Sequence, residues 1–296
     1  MSLTIRIEPA QRMISVTKLA PFPILFVLAV VDAIWASFLH LRFIGFELSI
    51  LMVVVLLGVS VFYHSIRKDE RLSEICYFAA LWGLMMAASS PLTYMCATFN
   101  FRLYDEELDL MDRMLGFDWP SYYKFFKANN VVAAILVVAY YSMLLQLFFT
   151  VIYLAHIRKY ERNYELFWAT LISLVITSVM SGIFPAAGAL YHYEIGLNHA
   201  VHLRDFFALR HGNVSSFSLR DLEGIVTFPS FHTAAAIMLI HAHRGIRSFR
   251  PVLLLNILML LSTPISGGHY LVDMIGGGIV AFISICAAAH LSPKRA

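Results

Sequence analysis

The chain has 296 residues, of which 59% are hydrophobic and only 14% are charged, and its mean hydropathy is +0.73. About a quarter of the residues in soluble domains are charged, so this composition excludes an ordinary soluble domain and predicts a polytopic membrane protein. The net charge of +3 comes from short basic clusters between apolar stretches, so we expect no nucleic-acid partner. Three scattered cysteines are too few for a disulfide framework or a thiolate metal site.

Apolar stretches of membrane-spanning length recur along the chain. The hydrocarbon core of a bilayer requires about 20 apolar residues per helix. We therefore predict about eight transmembrane helices, at residues 20–41, 44–64, 74–97, 130–156, 165–190, 229–243, 251–265 and 269–290. The sixth and seventh are short, but polar or turn-forming residues bound both of them. The predicted fold class is an all-α polytopic membrane helix bundle.

The positions of lysine and arginine predict the orientation, because short cytoplasmic loops are enriched in both residues. With eight spans and both termini cytoplasmic, the inner segments hold 14 of the 22 lysines and arginines. These are Arg6, Arg12, Lys18, Arg67, Lys68, Arg71, Arg158, Lys159, Arg162, Arg244, Arg247, Arg250, Lys294 and Arg295. We expect a multi-pass protein of a bacterial inner (plasma) membrane, with its active site on the outer, periplasmic side.

Two long loops, 98–129 and 191–228, are predicted on the outer face. The first mixes acidic and aromatic residues, and we interpret it as an amphipathic segment on the membrane surface. The second carries several histidines and arginines. Within the first span, Asp32 is a costly ionisable group, which we expect to face a polar cleft or a neighbouring helix. The sequence assigns it no role.

The last predicted span begins with the stretch SGGHYLVDMIGGG, in which His269 and Asp273 lie four residues apart on one helix face. Gly267 and Gly268 permit a tight turn before the helix begins. Ionisable residues in a membrane span are functional by default, so we favour a catalytic role for this pair over a structural one.

The sixth predicted span opens in a comparable way, with the stretch GIVTFPSFHTAAA. Ser230 supplies a hydroxyl at the positive end of this helix, and His232 lies in its first turn. Both helices begin on the outer face and one hairpin separates them, so we expect their N-termini to lie side by side. Their unpaired N–H groups would attract an anion such as phosphate. Two histidines there suit a nucleophile and a proton donor, with Asp273 orienting one imidazole.

The stretches PSFHT and GGHYLVDMIGG resemble the second and third signature motifs of the type 2 phosphatidic acid phosphatase superfamily. The tyrosine after the histidine, PSFHT in place of PSGH, and the upstream FPAAGALYHY are most similar to the inositol phosphorylceramide synthase and sphingomyelin synthase branch. The resemblance covers residues 74–290, a six-helix lipid phosphatase or phosphotransferase core. Residues 1–73 would be an N-terminal segment with two additional transmembrane helices.

The resemblance implies a role for each matching residue. His269 would attack phosphorus and form a phosphohistidine, Asp273 would hold and activate it, and His232 would protonate the leaving oxygen. Thr263 occupies the position at which the third motif usually has an arginine, and the first motif is not present in its usual form.

The stretch RDFFALRHG, just before the second motif, offers the missing positive charge, because arginine can engage two phosphate oxygens together. The alternative is that these are solvated loop charges. The residues assigned to substrate binding are Arg204, Arg210, Ser230 and Gly268. Arg220 and Arg102 are further candidates for binding the phosphate.

Another histidine pair, His199 and His202 in NHAVH, has a spacing that permits a metal site. No carboxylate or thiolate accompanies it, so we predict neither a metal ion nor a cofactor.

We predict a lipid phosphate phosphatase whose substrate is a lipid phosphate ester among the membrane lipids. The same residues would serve a lipid head-group phosphotransferase, with an alcohol or head group as acceptor. We lean to the phosphatase because water needs no dedicated pocket. An alternative of another class is a proton-coupled transporter with a relay through Asp32, His269 and Asp273. Against it, the His–Asp pair begins a span and no internal repeat is visible.

Overall fold

The computed structural model describes residues 20–197, 202–213, 215–218 and 224–292. Its elements, in chain order, are α1 (Pro21–Phe38), β1 (Arg42–Ile44), α2 (Phe46–Phe62), α3 (Glu70–Ala97), α4 (Asp105–Met114), α5 (Trp119–Lys127), α6 (Asn130–Tyr141), α7 (Met143–His156), α8 (Tyr160–Ile183), α9 (Ala189–His192), α10 (His202–Arg210), β2 (Ser216–Ser218), α11 (Phe231–Ala242), α12 (Phe249–Ser266) and α13 (Leu271–Leu291). A π-helical turn, Tyr63–Arg67, extends α2. The prediction of an all-α polytopic membrane bundle is confirmed.

Six described helices are long and apolar enough to cross a membrane. They are α1, α2 with its π-helical turn, α3, α8, α12 and α13. The fourth predicted span is broken into α6 and α7, which meet at Ser142 with a bend of 52°. The sixth predicted span is α11, whose 12 residues reach about 18 Å and fall short of a bilayer.

The short helix α11 contacts α13 at its start and the beginning of α8 at its end. At its start, the N–H of Ser230 donates to the carbonyl of Asp273 at 2.9 Å. At its other end, the side chain of Arg162, in the first turn of α8, donates to the carbonyl of Ala242 at 3.3 Å. Since α8 has 24 residues and a length of about 36 Å, α11 begins well below the outer end of α8. The segment before α11 therefore enters the bundle, and the site at its start is recessed.

Small side chains allow α11 to occupy the centre of the bundle. Ala234, Ala235 and Ala236 are fully buried, in one core cluster with large side chains of α3 and α8 such as Phe78 and Phe167. Lipid tails are as apolar as these side chains, so close packing rather than exclusion of water stabilises the contact.

The N-terminal helices are tied to the second outer loop by a small sheet. β1 and β2 pair in parallel, with Arg42 opposite Ser216. Phe43 of β1 stacks on Phe217 of β2 with ring centroids 6.1 Å apart, and Tyr94 of α3 meets Phe217 edge-on at 4.7 Å. These strands are not predictable from the sequence, because each is only three residues long. The division into residues 1–73 and 74–290 stays a prediction.

Candidate active site

His269 and Asp273 form the centre of the site, at the start of α13. The Nδ1 atom of His269 lies 3.3 Å from Oδ2 of Asp273, and the same oxygen accepts the N–H of Tyr270 at 2.8 Å. His269 is 3% exposed and Asp273 is completely buried. A carboxylate accepts only, so Nδ1 carries the proton and the lone pair of the imidazole lies on Nε2. The geometry therefore prepares Nε2 as a nucleophile.

Two polar groups of the α11 segment face that nitrogen. The hydroxyl of Ser230 lies 3.5 Å from Nε2 of His269, and the ring of His232 is centred 6.4 Å from the ring of His269. His232 is held by a parallel stack on Tyr140, with centroids 4.0 Å apart. The structure thus brings together His269, Asp273, Ser230 and His232.

The close approach of α11 and α13 depends on a glycine. A Cβ atom at Gly277 would lie 2.3 Å from the carbonyl oxygen of Ser230, which no real side chain tolerates. Ser230 caps α11 by accepting the N–H of Thr233 on its hydroxyl. The glycine at 277 therefore sets the distance between the segment that carries His232 and the helix that carries Asp273.

The turn before His269 also requires glycine. Gly268 has φ +65°, and a Cβ atom there would lie 2.8 Å from Leu190. Its carbonyl accepts the N–H of Ala189 at 2.7 Å. The FPAAG segment, residues 184–188, therefore packs through the residue that follows it on the catalytic turn, residues 267–269. The structure gives Gly268 this role in the turn, and its role in substrate binding stays a prediction.

Asp105, at the start of α4, joins these two segments. Its carboxylate accepts the N–H groups of Ala187 and Gly188 at 2.9 and 2.7 Å, and the hydroxyl of Tyr270 at 3.1 Å. Burial raises the pKa of Asp105, and the three donors act against that rise. One carboxylate of the first outer loop therefore fixes the FPAAG segment to the residue that follows His269.

Asp112, two turns further along α4, caps α13. It accepts the N–H of Leu271 at 2.7 Å and the N–H of Val272 at 2.9 Å. Our expectation that this helix presents unpaired N–H groups to an anion is therefore wrong for α13. The protein's own carboxylate occupies the position that a phosphate oxygen would take. Positive charge for a phosphate has to come from elsewhere.

The first outer loop has an amphipathic pattern, but its polar face is turned inward. Asp105, Asp109 and Asp112 are buried, while Leu110 and Met114 on the opposite face are 58% and 78% exposed. The spacing of the three aspartates, four and three residues, places them on one helix face. The spacing is visible in the sequence, but it does not tell whether this face meets water or the rest of the protein.

A third histidine reaches the site from α10. His202 donates a hydrogen bond to the carbonyl of Ala187 and lies near enough to His269 for the two charges to interact. Burial, and to a smaller extent the neighbouring His269, lower the pKa of His202 to about 4, while the hydrogen bond to Ala187 acts against this shift. From the sequence, His202 stands out only as one of two histidines, with His199, whose spacing permits a metal site. His199 lies outside the described residues, and His202 belongs to the site around His269.

The structure places the two candidate arginines of α10 differently. Arg204 is 76% exposed and its Nε lies 3.0 Å from Asp205. Arg210 donates from Nη2 to the carbonyl of Phe101, and its guanidinium lies over the ring of Phe206 at 5.3 Å. Its Nη1 atom is buried and has no hydrogen-bond partner among the described residues. Of the two arginines, Arg210 is therefore the better candidate to donate a hydrogen bond to a phosphate.

The remaining arginines of the outer loops are engaged or not described. Arg102 pairs with Glu107 and lies over the ring of Tyr104. Arg113 lies 2.8 Å from Asp109. Arg220 lies outside the described residues. Thr263, at the position of the missing motif arginine, donates its hydroxyl to the carbonyl of Met259 in its own helix.

A comparison with protein families agrees with this geometry. The family model of the PAP2 superfamily matches residues 106–287, from the first turn of α4 to the last turns of α13. This match covers more than half of the chain, and the protein belongs to the PAP2 superfamily. Members of that superfamily are generally phosphoester hydrolases or phosphotransferases. Neither the curated proteins nor the solved structures gave a match. The inositol phosphorylceramide or sphingomyelin synthase branch stays a prediction.

Proposed function

We propose that the protein is an integral membrane phosphatase for lipid phosphate esters, acting through a phosphohistidine on His269 at the outer membrane face. The observation that carries the proposal is the contact of His269 Nδ1 with Asp273, which leaves Nε2 facing Ser230 and the ring of His232. A buried nucleophile with an orienting carboxylate and a second imidazole is the arrangement required for covalent catalysis with a general acid.

The reaction has two steps. Nε2 of His269 attacks phosphorus, the bond between phosphorus and the lipid oxygen breaks, and His232 donates a proton to that oxygen. A water molecule then attacks the phosphohistidine and gives a proton to His232, which releases phosphate and restores both imidazoles. Asp273 stabilises the imidazolium character of His269 in each step.

Arg210 is our candidate for balancing the phosphoryl charge. Its buried Nη1 has no hydrogen-bond partner among the described residues, so it could donate to a phosphate. Arg204, by contrast, is exposed and paired with Asp205. An arginine donor in an enclosed site stabilises the charge that develops in the transition state. The hydroxyl of Ser230 and the imidazole of His202 are further polar groups beside His269.

The lipid nature of the substrate is supported by the surroundings of the site. The helices α4 and α5, which pack on the catalytic turn, expose large apolar side chains that include Leu110, Met114 and Phe125. Their apolar faces match the headgroup boundary of a bilayer. A substrate anchored in the outer leaflet would have its phosphate at the level of the recessed site. Impermeant labelling of single cysteines at the exposed positions Glu106 and Arg247, in a cysteine-free background, tests this orientation; only Glu106→Cys should react in intact cells.

A head-group phosphotransferase is the second candidate. The observation that favours it is the enclosure of His269, because a site with little access for water gives an alcohol acceptor time to react. Superfamily membership supports these two activities rather than the proton-coupled transporter.

The test is incubation of the purified protein with a panel of lipid phosphates, with and without alcohol acceptors. Free phosphate and transferred head groups are both measured. A phosphatase releases phosphate from at least one lipid phosphate, and His269→Ala abolishes the release. The matched control is His290→Ala, which removes an exposed imidazole at the far end of α13. Release that persists in His269→Ala would refute the proposal, and transfer without release would select the second candidate.

A further inference from the structure

A buried carboxylate outside the candidate active site lies in the first membrane helix, far along the chain from the catalytic residues. Asp32 of α1 is 4% exposed, and neither of its carboxylate oxygens has a hydrogen-bond partner among the described residues. It lies six residues, or about 9 Å, before the end of α1. An ionisable group at this depth in a bilayer is costly unless something binds it.

Asp32 lines a cavity of about 430 Å³. This volume is within the range of small-molecule sites, which runs from about 300 to 1,000 Å³. The lining comes from residues 29–50 and 84–91, in α1, β1, α2 and α3. The cavity is therefore separate from the helices that carry His232 and His269. Its walls are apolar, with Leu41, Phe46 and Leu84 among them.

One turn of α3 beside the cavity has an incomplete set of backbone hydrogen bonds. Pro91 interrupts the hydrogen bonding of α3, because proline has no N–H to give to the carbonyl four residues earlier. That carbonyl belongs to Ala87, which also lines the cavity. The cavity thus combines apolar walls with a buried carboxylate, beside a helix turn whose Ala87 carbonyl lacks its usual helical donor. A ligand that satisfies them has to supply hydrogen-bond donors.

We propose that this cavity is a binding site for a lipid whose head group donates hydrogen bonds through a hydroxyl or an ammonium group. The head would bind the carboxylate of Asp32 and the carbonyl of Ala87, and the alkyl chain would lie along the apolar walls between α1, α2 and α3. The carboxylate, which has no partner among the described residues, and the apolar walls of the cavity are complementary to the two ends of one amphiphile.

The test uses three photoreactive probes of one chain length: a long-chain alcohol, the corresponding amine, and a methyl ester that has no donor. They are crosslinked to the full-length protein in lipid nanodiscs, and the labelled peptides are mapped by mass spectrometry. The alcohol, the amine or both should label residues 29–50 and 84–91 at least about tenfold more than the ester. The preferred probe identifies the head group.

Three variants separate binding from general lipid contact. Asp32→Leu should reduce the donor-probe labelling to the level of the ester, while Asp32→Asn should keep labelling by the alcohol because its amide oxygen still accepts. Ala33→Trp, at an exposed position that lines the cavity, should block labelling by both the alcohol and the amine. Ile34→Trp is the matched control, because it places the same ring on the neighbouring residue outside the lining. Equal labelling by all three probes, or labelling that survives in both Asp32→Leu and Ala33→Trp, would overturn the proposal.

Discussion

The carboxylate of Asp273 contacts His269 across one helical turn, with 3.3 Å between Oδ2 and Nδ1, while it also accepts the N–H of Tyr270. The backbone bond fixes the carboxylate, and the carboxylate in turn fixes the orientation and tautomer of the imidazole. A nucleophile at this site is therefore prepared by the folding of the first turn of α13.

The first prediction is that Asp273→Asn lowers turnover by about 10²–10⁴-fold without unfolding the bundle. The amide can present an N–H to Nδ1, which would move the imidazole proton to Nε2 and remove the nucleophilic lone pair. Turnover and thermal stability in detergent are measured together. The control is Asp118→Asn, the same change at the exposed cap of α5. Near-normal turnover of Asp273→Asn would contradict the assigned role.

The second prediction concerns the proton that His232 donates. His232→Ala should slow turnover sharply with a natural lipid ester, and a substrate with a good leaving group should partly recover the rate. General acid catalysis contributes about 10²–10⁴-fold, so the variant should lose most of that factor only with the poor leaving group. Turnover of a matched pair of substrates is measured in wild type and variant. An equal loss for both would count against His232 as the acid.

The third prediction concerns Arg210. Removing one donor that stabilises developing charge costs about 10²–10³-fold in turnover, and we expect this loss for Arg210→Ala. Arg210→Lys should recover only part of it, because a point charge cannot engage two oxygens together. Arg204→Ala is the comparison and should lose less, since Arg204 is exposed and paired with Asp205. Near-normal turnover of Arg210→Ala in a folded protein would remove Arg210 from the site.

The fourth prediction is a pH dependence of stability from His202. Its pKa is lowered from 6.5 to about 4 in the folded protein, chiefly by burial. Between these values the unfolded chain binds a proton that the folded protein does not, so stability falls as the pH falls from 6.5 to 4. The contribution is at most about 3 kcal/mol. His202→Gln should show a weaker loss of thermal stability over this range. Identical pH profiles for the two proteins would contradict the neutral, buried state of His202.

The sequence was sufficient to predict the helical bundle and the grouping of His269, Asp273 and His232. Both motifs mark helix starts, and a single hairpin between two helices brings their starts to the same end. The bend between α6 and α7 was not predictable in this way. It lies at Ser142, where no proline or glycine interrupts the apolar run.

The surroundings of the site depend on contacts between distant parts of the chain. Asp105 and Tyr270 are 165 residues apart, and nothing local to either residue indicates the partner. The aspartates of α4 showed a helical spacing, but the sequence could not tell whether that face meets water or protein. In the structure the same carboxylates satisfy N–H groups that an isolated helix start would offer to phosphate. This is the physical reason why the anion-binding expectation is wrong for α13.

The most direct test of the proposed chemistry is to look for the covalent intermediate. The purified protein is mixed with a lipid phosphate that it turns over, quenched rapidly during steady-state turnover, and digested for mass spectrometry. We expect a phosphoryl group on the peptide that contains His269, bound to the imidazole, and no such group in Asp273→Asn at the same time point. Phosphate release at a normal rate with an unmodified His269, or a phosphoryl group on another residue, would contradict it.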